Sequence, residues 1–276
     1  MSRELYDCTA AELATRPVEH LEHDTPPSEA ANWLDENGYD AAPVYAGGDP
    51  VGFVHEDDIS PDTDGDTLDT HVTPLTIDYM MSGDTSLPDV ISALVANPVY
   101  FLGGHSNVTG VLTRADLNTA PARIYLFDRI TYLEEQLREL VLDEAPNWKQ
   151  TPVTVGELDD IESRYADAQA ANVALDEIHY AQFSTLETIV TSVEDCWQAC
   201  GFSTRGAANS ALHEITELRN DVAHANLLVE NTETNAFLSD GRTTENLSDT
   251  LETIEGVLGE LSGATAEPDT SPDVSS

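Results

Sequence analysis

Basic side chains are what this sequence has least of. Lys149 is its single lysine, and 11 lysines and arginines face 52 aspartates and glutamates, for a formal net charge of −41. The excess is even: residues 1–120 carry 22 acids and 3 bases, and residues 121–276 carry 30 and 8. An acidic tail or a single acidic docking face is therefore excluded as its source. So is the polybasic surface that drives most nucleic-acid binding. Three cysteines, Cys8, Cys196 and Cys200, are too few for a disulfide framework. Cys196 and Cys200 stand one helical turn apart in an apolar run with no second ligand pair nearby. That spacing points to packing rather than zinc, and no metal site is expected. No apolar run is long enough to cross a bilayer and no leader peptide is recognisable, so the expectation is a cytoplasmic protein without a membrane partner. Phosphate-binding loops, dinucleotide-binding glycine loops and protease triads are also missing.

What is there begins with the carboxylates. A whole-surface acidic coat with lysine removed resembles the proteins of salt-accumulating halophiles, a haloarchaeal type of composition. In molar salt the Debye length falls to about 3 Å, so self-repulsion is weak and the coat serves solubility. The same screening removes the long-range attraction of phosphate to protein. Any RNA contact must then be local, built from a few arginines and stacking groups.

The length allows two domains with separate cores. The expected fold class is α/β followed by all-α, divided near Pro121. After an N-terminal extension (1–15), residues 16–120 contain two copies of one α/β unit. In the first, Ala30, Ala31, Trp33 and Leu34 give an amphipathic helix that Gly38 ends. Ala42 to Tyr45 begins a strand, Gly47-Gly48-Asp49 turns, and Val51 to Val54 returns. In the second, SLPDVISALVANPVYF repeats the helix and strand, Gly103-Gly104 turns, and Val108 to Leu112 returns. The aligned cores are PVYAGGDPVGFVHEDDI and PVYFLGGHSNVTGVLTRADL. An internal repeat of this kind means paired units sharing a core.

These residues resemble a tandem pair of CBS domains, a regulatory module that often binds adenine nucleotides. The segment Gly110-Val111-Leu112-Thr113-Arg114-Ala115-Asp116 carries the resemblance best. It implies that the Thr113 hydroxyl contacts phosphate and that the Asp116 carboxylate accepts from ribose hydroxyls, with Pro98, Val99 and Tyr100 near the base. The first copy keeps the acid at Asp58. It has His55 where the hydroxyl is expected and Glu56 where a basic residue is expected. The resemblance thus implies one competent site, at the second motif, with AMP, ADP or ATP as regulatory ligand. The competing reading is that Thr113 and Asp116 cap the following helix.

From residue 121 strand signals vanish. Ile124, Phe127, Ile130, Leu133, Leu137, Leu140 and Val141 share one stripe of a long helix that stops before Pro146. Further helices are expected over Val155 to about Leu175, Ser184 to Cys200 (closed by Gly201), from about Ser203 or Thr204, and Thr244 to Leu261. The result is a helical bundle over 121–262. Residues 263–276 are polar, acidic and Pro/Ser-rich, and are expected to be disordered.

Within the fourth of these helices, the segment Leu218 to Asn226, LRNDVAHAN, places Arg219, Asn220 and His224 in an otherwise apolar stretch. A permanently charged guanidinium holds phosphate, and an imidazole moves a proton near neutral pH. The segment resembles the Arg-x4-His motif of the HEPN superfamily, helical domains of many RNA-cleaving toxins and defence proteins. The resemblance implies a metal-independent endoribonuclease that needs no cofactor for catalysis. His224 would be the general base or acid, Arg219 would neutralise the transition state, and Asn220 would orient the phosphate or the imidazole. On one helix, positions 219 and 224 lie about 140° apart and about 7.5 Å along the axis. One copy does not easily clamp a single phosphate, whereas two across a symmetry axis do, and a homodimer follows. Arg205 is the nearest other cation for RNA contact. The competing reading pairs Arg219 with Glu214, Glu217 or Asp221 and leaves His224 at a helix end where the dipole favours a cation. Two functions therefore stand open: a nucleotide-gated ribonuclease, or a non-catalytic nucleotide-responsive dimerisation protein.

Overall fold

A computed structural model describes residues 5–65, 67–104, 107–230 and 241–264. Most of the expected acidic tail, residues 265–276, lies outside them. The chain forms two compact units: Met1–Tyr125 with Leu227–Ser248, and Leu126–Asn226 with Asp249–Ser276.

The first unit repeats one topology. After the short helix α1 (Ala10–Leu13) come β1 (Leu21–Glu22), α2 (Pro27–Asn37), β2 (Ala41–Ala46), β3 (Asp49–His55) and β4 (Thr73–Pro74). Then follow β5 (Met80–Met81), α3 (Leu87–Ala96), β6 (Val99–Gly104) and β7 (Asn107–Thr113). The first sheet runs β1-β2-β3-β4 and the second β5-β6-β7. In each, a two-residue strand pairs parallel with the strand after the helix, and an antiparallel hairpin follows. Gly47 and Gly48 have φ of 63° and 93°, the left-handed pair that a two-residue hairpin turn demands. At Gly52 a Cβ would stand 2.4 Å from the carbonyl oxygen of Thr73, so β4 docks only because no side chain is there.

The α2 helix buries Ala30, Ala31 and Leu34 against Val44, Val54 and Leu68, with Trp33 half-exposed at the rim. A second cluster joins the two sheets: Ala41 and Phe53 from the first meet Val99, Phe101 and Val108 from the second. Phe53 and Phe101 rings lie 5.1 Å apart, inside the favourable range for aromatic pairs.

The segment Leu227–Ser248 groups with this first unit rather than with the bundle expected over 121–262. One side chain explains much of that. The Asn118 Oδ1 accepts from Leu228 N–H (2.6 Å) and Val229 N–H (3.1 Å), while its Nδ2 donates to the Val229 carbonyl (2.9 Å). Asn118 thus acts as a strand edge for a chain segment over a hundred residues away.

The second unit is helical. Most of α4 (Ala120–Glu144) lies in it, with α5 (Val155–Ala170), α6 (Phe183–Ser192), α7 (Glu194–Ala199), α8 (Arg205–His224) and much of α9 (Thr244–Ala264). Three expectations need correction. The buried stripe of α4 is Leu126, Ile130, Leu133, Leu137, Leu140 and Val141; Ile124 and Phe127 are more than half exposed. The apolar residues of α4 therefore occupy two faces, and periodicity alone had merged them. α5 ends five residues before Leu175, because Asn172 takes φ 58° and the Val173 N–H turns back to the Ala168 carbonyl. The helix expected over 184–200 is two, broken at Val193, which is extended. There Thr191 and Ser192 hydroxyls donate to the Glu187 and Thr188 carbonyls, a back-bonding that competes with helix continuation.

Cys196 and Cys200 are buried and unpaired, and burial pushes their thiols up to about 11 and about 12. Phe101 lies at the junction of the two sheets and is fully buried. Phe101→Ala is expected to cost about 3–5 kcal/mol, read as a lower denaturant midpoint at unchanged slope. A loss below about 1 kcal/mol would mean that the two sheets do not share a core.

Candidate functional site

A cavity of about 190 Å³ lies in the first unit. Three chain segments wall it. Thr15, Pro17, Val18 and Glu19 form one side, Gly38 to Ala41 lead into β2, and Val111, Thr113, Ala115 and Asp116 come from β7 and the 3-10 turn after it. Thr15 reaches the site because its N–H donates to the Val111 carbonyl (2.8 Å), an isolated bridge onto the edge of β7.

Asp116 organises this place. It is 7% exposed. One carboxylate oxygen accepts from the Thr15 hydroxyl (3.0 Å), and the other accepts from the Thr113 N–H (2.7 Å) and hydroxyl (3.4 Å). Burial raises its pKa above the ordinary carboxylate value; the Thr113 and Thr15 hydrogen bonds oppose the rise, and the nearby Asp40 charge adds to it. The capping reading of Thr113 and Asp116 is therefore correct as far as it goes. The cap also places the acid in the wall of the cleft, so capping and lining coexist. Tyr39 lines the opposite wall; its hydroxyl donates to Glu19 (3.4 Å) and its ring packs 5.3 Å from Trp33.

Four expected contributors, Pro98, Val99, Tyr100 and Asp58, lie elsewhere. Val99 is buried in the cluster between the sheets. Tyr100 is buried too, its hydroxyl donating to the Ala93 carbonyl (3.1 Å) and accepting from Asn97 (3.0 Å). Neither lines the cleft. The apolar wall comes instead from the first copy, through Tyr39 and Ala41. The interlocked pair brings the start of β2 opposite the second motif, and no linear alignment of the two copies displays that. Asp58 is exposed on the 3-10 turn Glu56–Asp58, outside this cleft. In the first motif His55 Nδ1 accepts from the Asp57 N–H (3.2 Å), so the imidazole takes the cap position that a hydroxyl was expected to hold. Arg114, the basic residue of the second motif, reaches the end of α3. Its Nε donates to the Leu94 carbonyl (2.9 Å) and its Nη2 lies 3.4 Å from that of Val95. A cation there satisfies last-turn carbonyls.

Residues 10–60 match the family model of the CBS domain. The second copy repeats the strand, helix and hairpin order of that CBS region. No curated protein matches the chain. Among solved structures, the CBS domains of a transcriptional regulator from Streptococcus pneumoniae are similar at 19% identity, over 40% of this chain and 95% of that one, with a TM-score of 0.35. A CBS domain pair crystallised with 5′-methylthioadenosine and S-adenosyl-L-methionine is similar at 17% identity, over 41% and 94%, with a TM-score of 0.36. The CBS domain of a bacterial CNNM/CorC family Mg2+ transporter, solved with ATP, is similar at 17% identity, over 40% and 84%, with a TM-score of 0.34. Likenesses of this degree carry nothing about what the present chain binds.

In the helical unit, Arg219, Asn220 and His224 all lie on α8. Arg219 and Asn220 are half-buried; His224 is exposed and is the last residue of the helix, which Ala225 ends with φ 56°. Among the described residues, no hydrogen bond or ion pair is seen at these three side chains, including the alternative pairing of Arg219 with Glu214, Glu217 or Asp221. Asp221 instead accepts from the Asn226 side chain (3.2 Å) as the chain leaves the helix. Arg205 opens the same helix, about 21 Å along the axis from Arg219, too far to join it in one site. Sequence reasoning passed over Glu187 on α6. It accepts from the Thr216 hydroxyl (2.5 Å) and lies 3.7 Å from His213 Nδ1, tying α6 to α8. Among the described residues no group of three His, Cys, Asp or Glu side chains is placed to hold a metal ion, and no helix is long and apolar enough to cross a membrane.

The raised pKa of Asp116 has a sign. A carboxyl whose folded pKa exceeds its unfolded value contributes stability below the unfolded pKa and loses it as pH rises through the folded one. Asp116→Asn, which keeps an acceptor but no charge, should therefore gain on the wild type in melting temperature as pH rises from about 4 to about 7. A constant difference across that range would show that Asp116 ionises without cost.

Proposed function

We propose that this chain is a regulatory protein whose CBS pair binds an adenosine-type ligand in the cleft at Asp116. The observation that carries the reading is the cleft itself. It sets a buried carboxylate, able to accept from ribose hydroxyls, opposite the apolar surface of Tyr39 and Ala41, where a base can lie. The family model covers the first copy, and the resemblance of Gly110 to Asp116 to the family's motif makes Asp116 the ribose-binding acid of this reading. Asn118, two residues beyond Asp116, holds Leu228 and Val229. Those residues follow Leu218–Asn226 directly in the chain, so ordering of 113–118 by a ligand reaches the end of that motif by covalent continuity.

Calorimetry on the full chain in molar KCl, with adenosine and its mono-, di- and triphosphates, tests this. Binding by the wild type and a loss of at least about tenfold in Asp116→Ala is expected. Equal affinity in the two proteins would remove Asp116 from the site.

A second reading adds an activity. The helical unit would be a HEPN-like, metal-independent endoribonuclease, active as a homodimer on an RNA substrate, with Arg219 and Asn220 holding the phosphate and His224 moving the proton. What favours it is that, among the described residues, no hydrogen bond or ion pair holds these three side chains, although Glu214, Glu217 and Asp221 stand on the same helix. A purely structural arginine in so acidic a chain would be expected to pair. RNA incubated in molar KCl, with and without nucleotide, should be cut by the wild type. His224→Ala and Arg219→Ala should each lower the rate by at least about a hundredfold while sedimentation shows the dimer unchanged. Intact RNA beside a working salt-tolerant control nuclease would leave the non-catalytic regulatory protein as the reading.

A further inference from the structure

We infer that the Asp116 cleft takes an uncharged or cationic nucleoside-type ligand and discriminates against its phosphorylated forms. The inference rests on the nucleoside reading proposed above and concerns the charge class of that ligand.

Three carboxylates from three separate segments line the cleft, Glu19, Asp40 and Asp116, and among the described residues its lining contains no lysine, arginine or histidine. The cations nearest in sequence are turned elsewhere. Arg114 gives its guanidinium to the carbonyls at the end of α3. Arg16 places its Nε 3.3 Å from where a Cβ on Gly110 would stand, and Gly110 faces the opposite side of β7 from Val111, which lines the cleft. The His20 ring packs 4.4 Å from that of Tyr45, and its Nε2 lies 3.6 Å from Glu22.

A phosphate also needs N–H donors, and the start of a helical turn usually supplies them. Here one of those donors, the N-cap Thr113 N–H, is already given to Asp116 at 2.7 Å. An incoming phosphate would compete with a buried carboxylate for the same proton while facing three negative charges at short range. Ribose hydroxyls and exocyclic amines are donors, and the cleft is rich in acceptors. A sulfonium or ammonium group gains from the same carboxylates that repel a phosphate. Molar salt weakens long-range repulsion, since the Debye length is then about 3 Å, but leaves contacts at bonding distance in place.

Calorimetry on the full chain at one KCl concentration, with adenosine, S-adenosylmethionine, AMP and ATP as probes, decides the matter. Adenosine is expected to bind at least about tenfold more tightly than AMP or ATP, and S-adenosylmethionine at least as tightly as adenosine. In the double variant Glu19→Gln, Asp40→Asn, the gap between adenosine and AMP should close to within about threefold. AMP or ATP binding the wild type as tightly as adenosine would overturn this inference and leave the nucleoside reading intact. So would a gap unchanged in the double variant. If none of the four probes binds, the nucleoside reading falls and this inference with it.

Discussion

A single buried carboxylate connects most of what gives the first unit a site. Asp116 accepts from a hydroxyl on the N-terminal segment and from the N–H that opens its own turn, so Thr15, β7 and the turn are held by one group. Those bonds partly offset the cost of taking the acid out of water, and they hold one wall of a cleft open. The opposite wall, at the start of β2, is backed by the apolar cluster between the two sheets, with the Tyr39 hydroxyl also bonded to Glu19. The cleft thus depends on a polar clasp on one side and a packed core behind the other.

Charge shapes how that cleft is used. In a chain with 52 acids and 11 bases, a cation is a scarce group, and its placement is informative. Arg114 caps a helix, Arg138 pairs with Glu134 and Lys149 pairs with Glu177 and Glu162. Among the described residues, Arg219 has no such partner and the cleft at Asp116 has no cation in its lining. That contrast underlies the two proposals, phosphate chemistry at α8 and a phosphate-free ligand at Asp116.

Much of the local structure was legible. Apolar runs on either side of Gly47-Gly48 marked the first hairpin, and the repeat of PVY marked the second copy. Asp116 and Thr113 were legible because a hydroxyl and an acid three residues apart after a strand are both a cap and a motif. Tyr39 and Asp40 were not, because they precede a strand in the other copy and only interlocking brings them across. Val99 and Tyr100 were misplaced for the same reason. Adjacency to a motif in one copy says little when the site is assembled from two. On α4, Ile124 and Phe127 fit the apolar period as well as Leu126 and Ile130 did. Periodicity reports that a face is apolar and does not report which face meets a partner.

What the sequence by itself determined is what depends on near neighbours: helix and strand periods, turns that need left-handed glycine, the capping acid at Asp116, the shared helix of Arg219 and His224, and the net charge. What only the tertiary structure decided is what depends on residues far apart in the chain. It assigned the second wall of the cleft to the first copy, and it gave Arg114 to the carbonyls of α3. It also attached Leu228 and Val229 to Asn118 across more than a hundred residues. Local patterns set the backbone conformations that each segment can adopt. Which side chains then meet is settled by how those segments pack, because burial and hydrogen bonding reward contacts regardless of the distance between them in sequence.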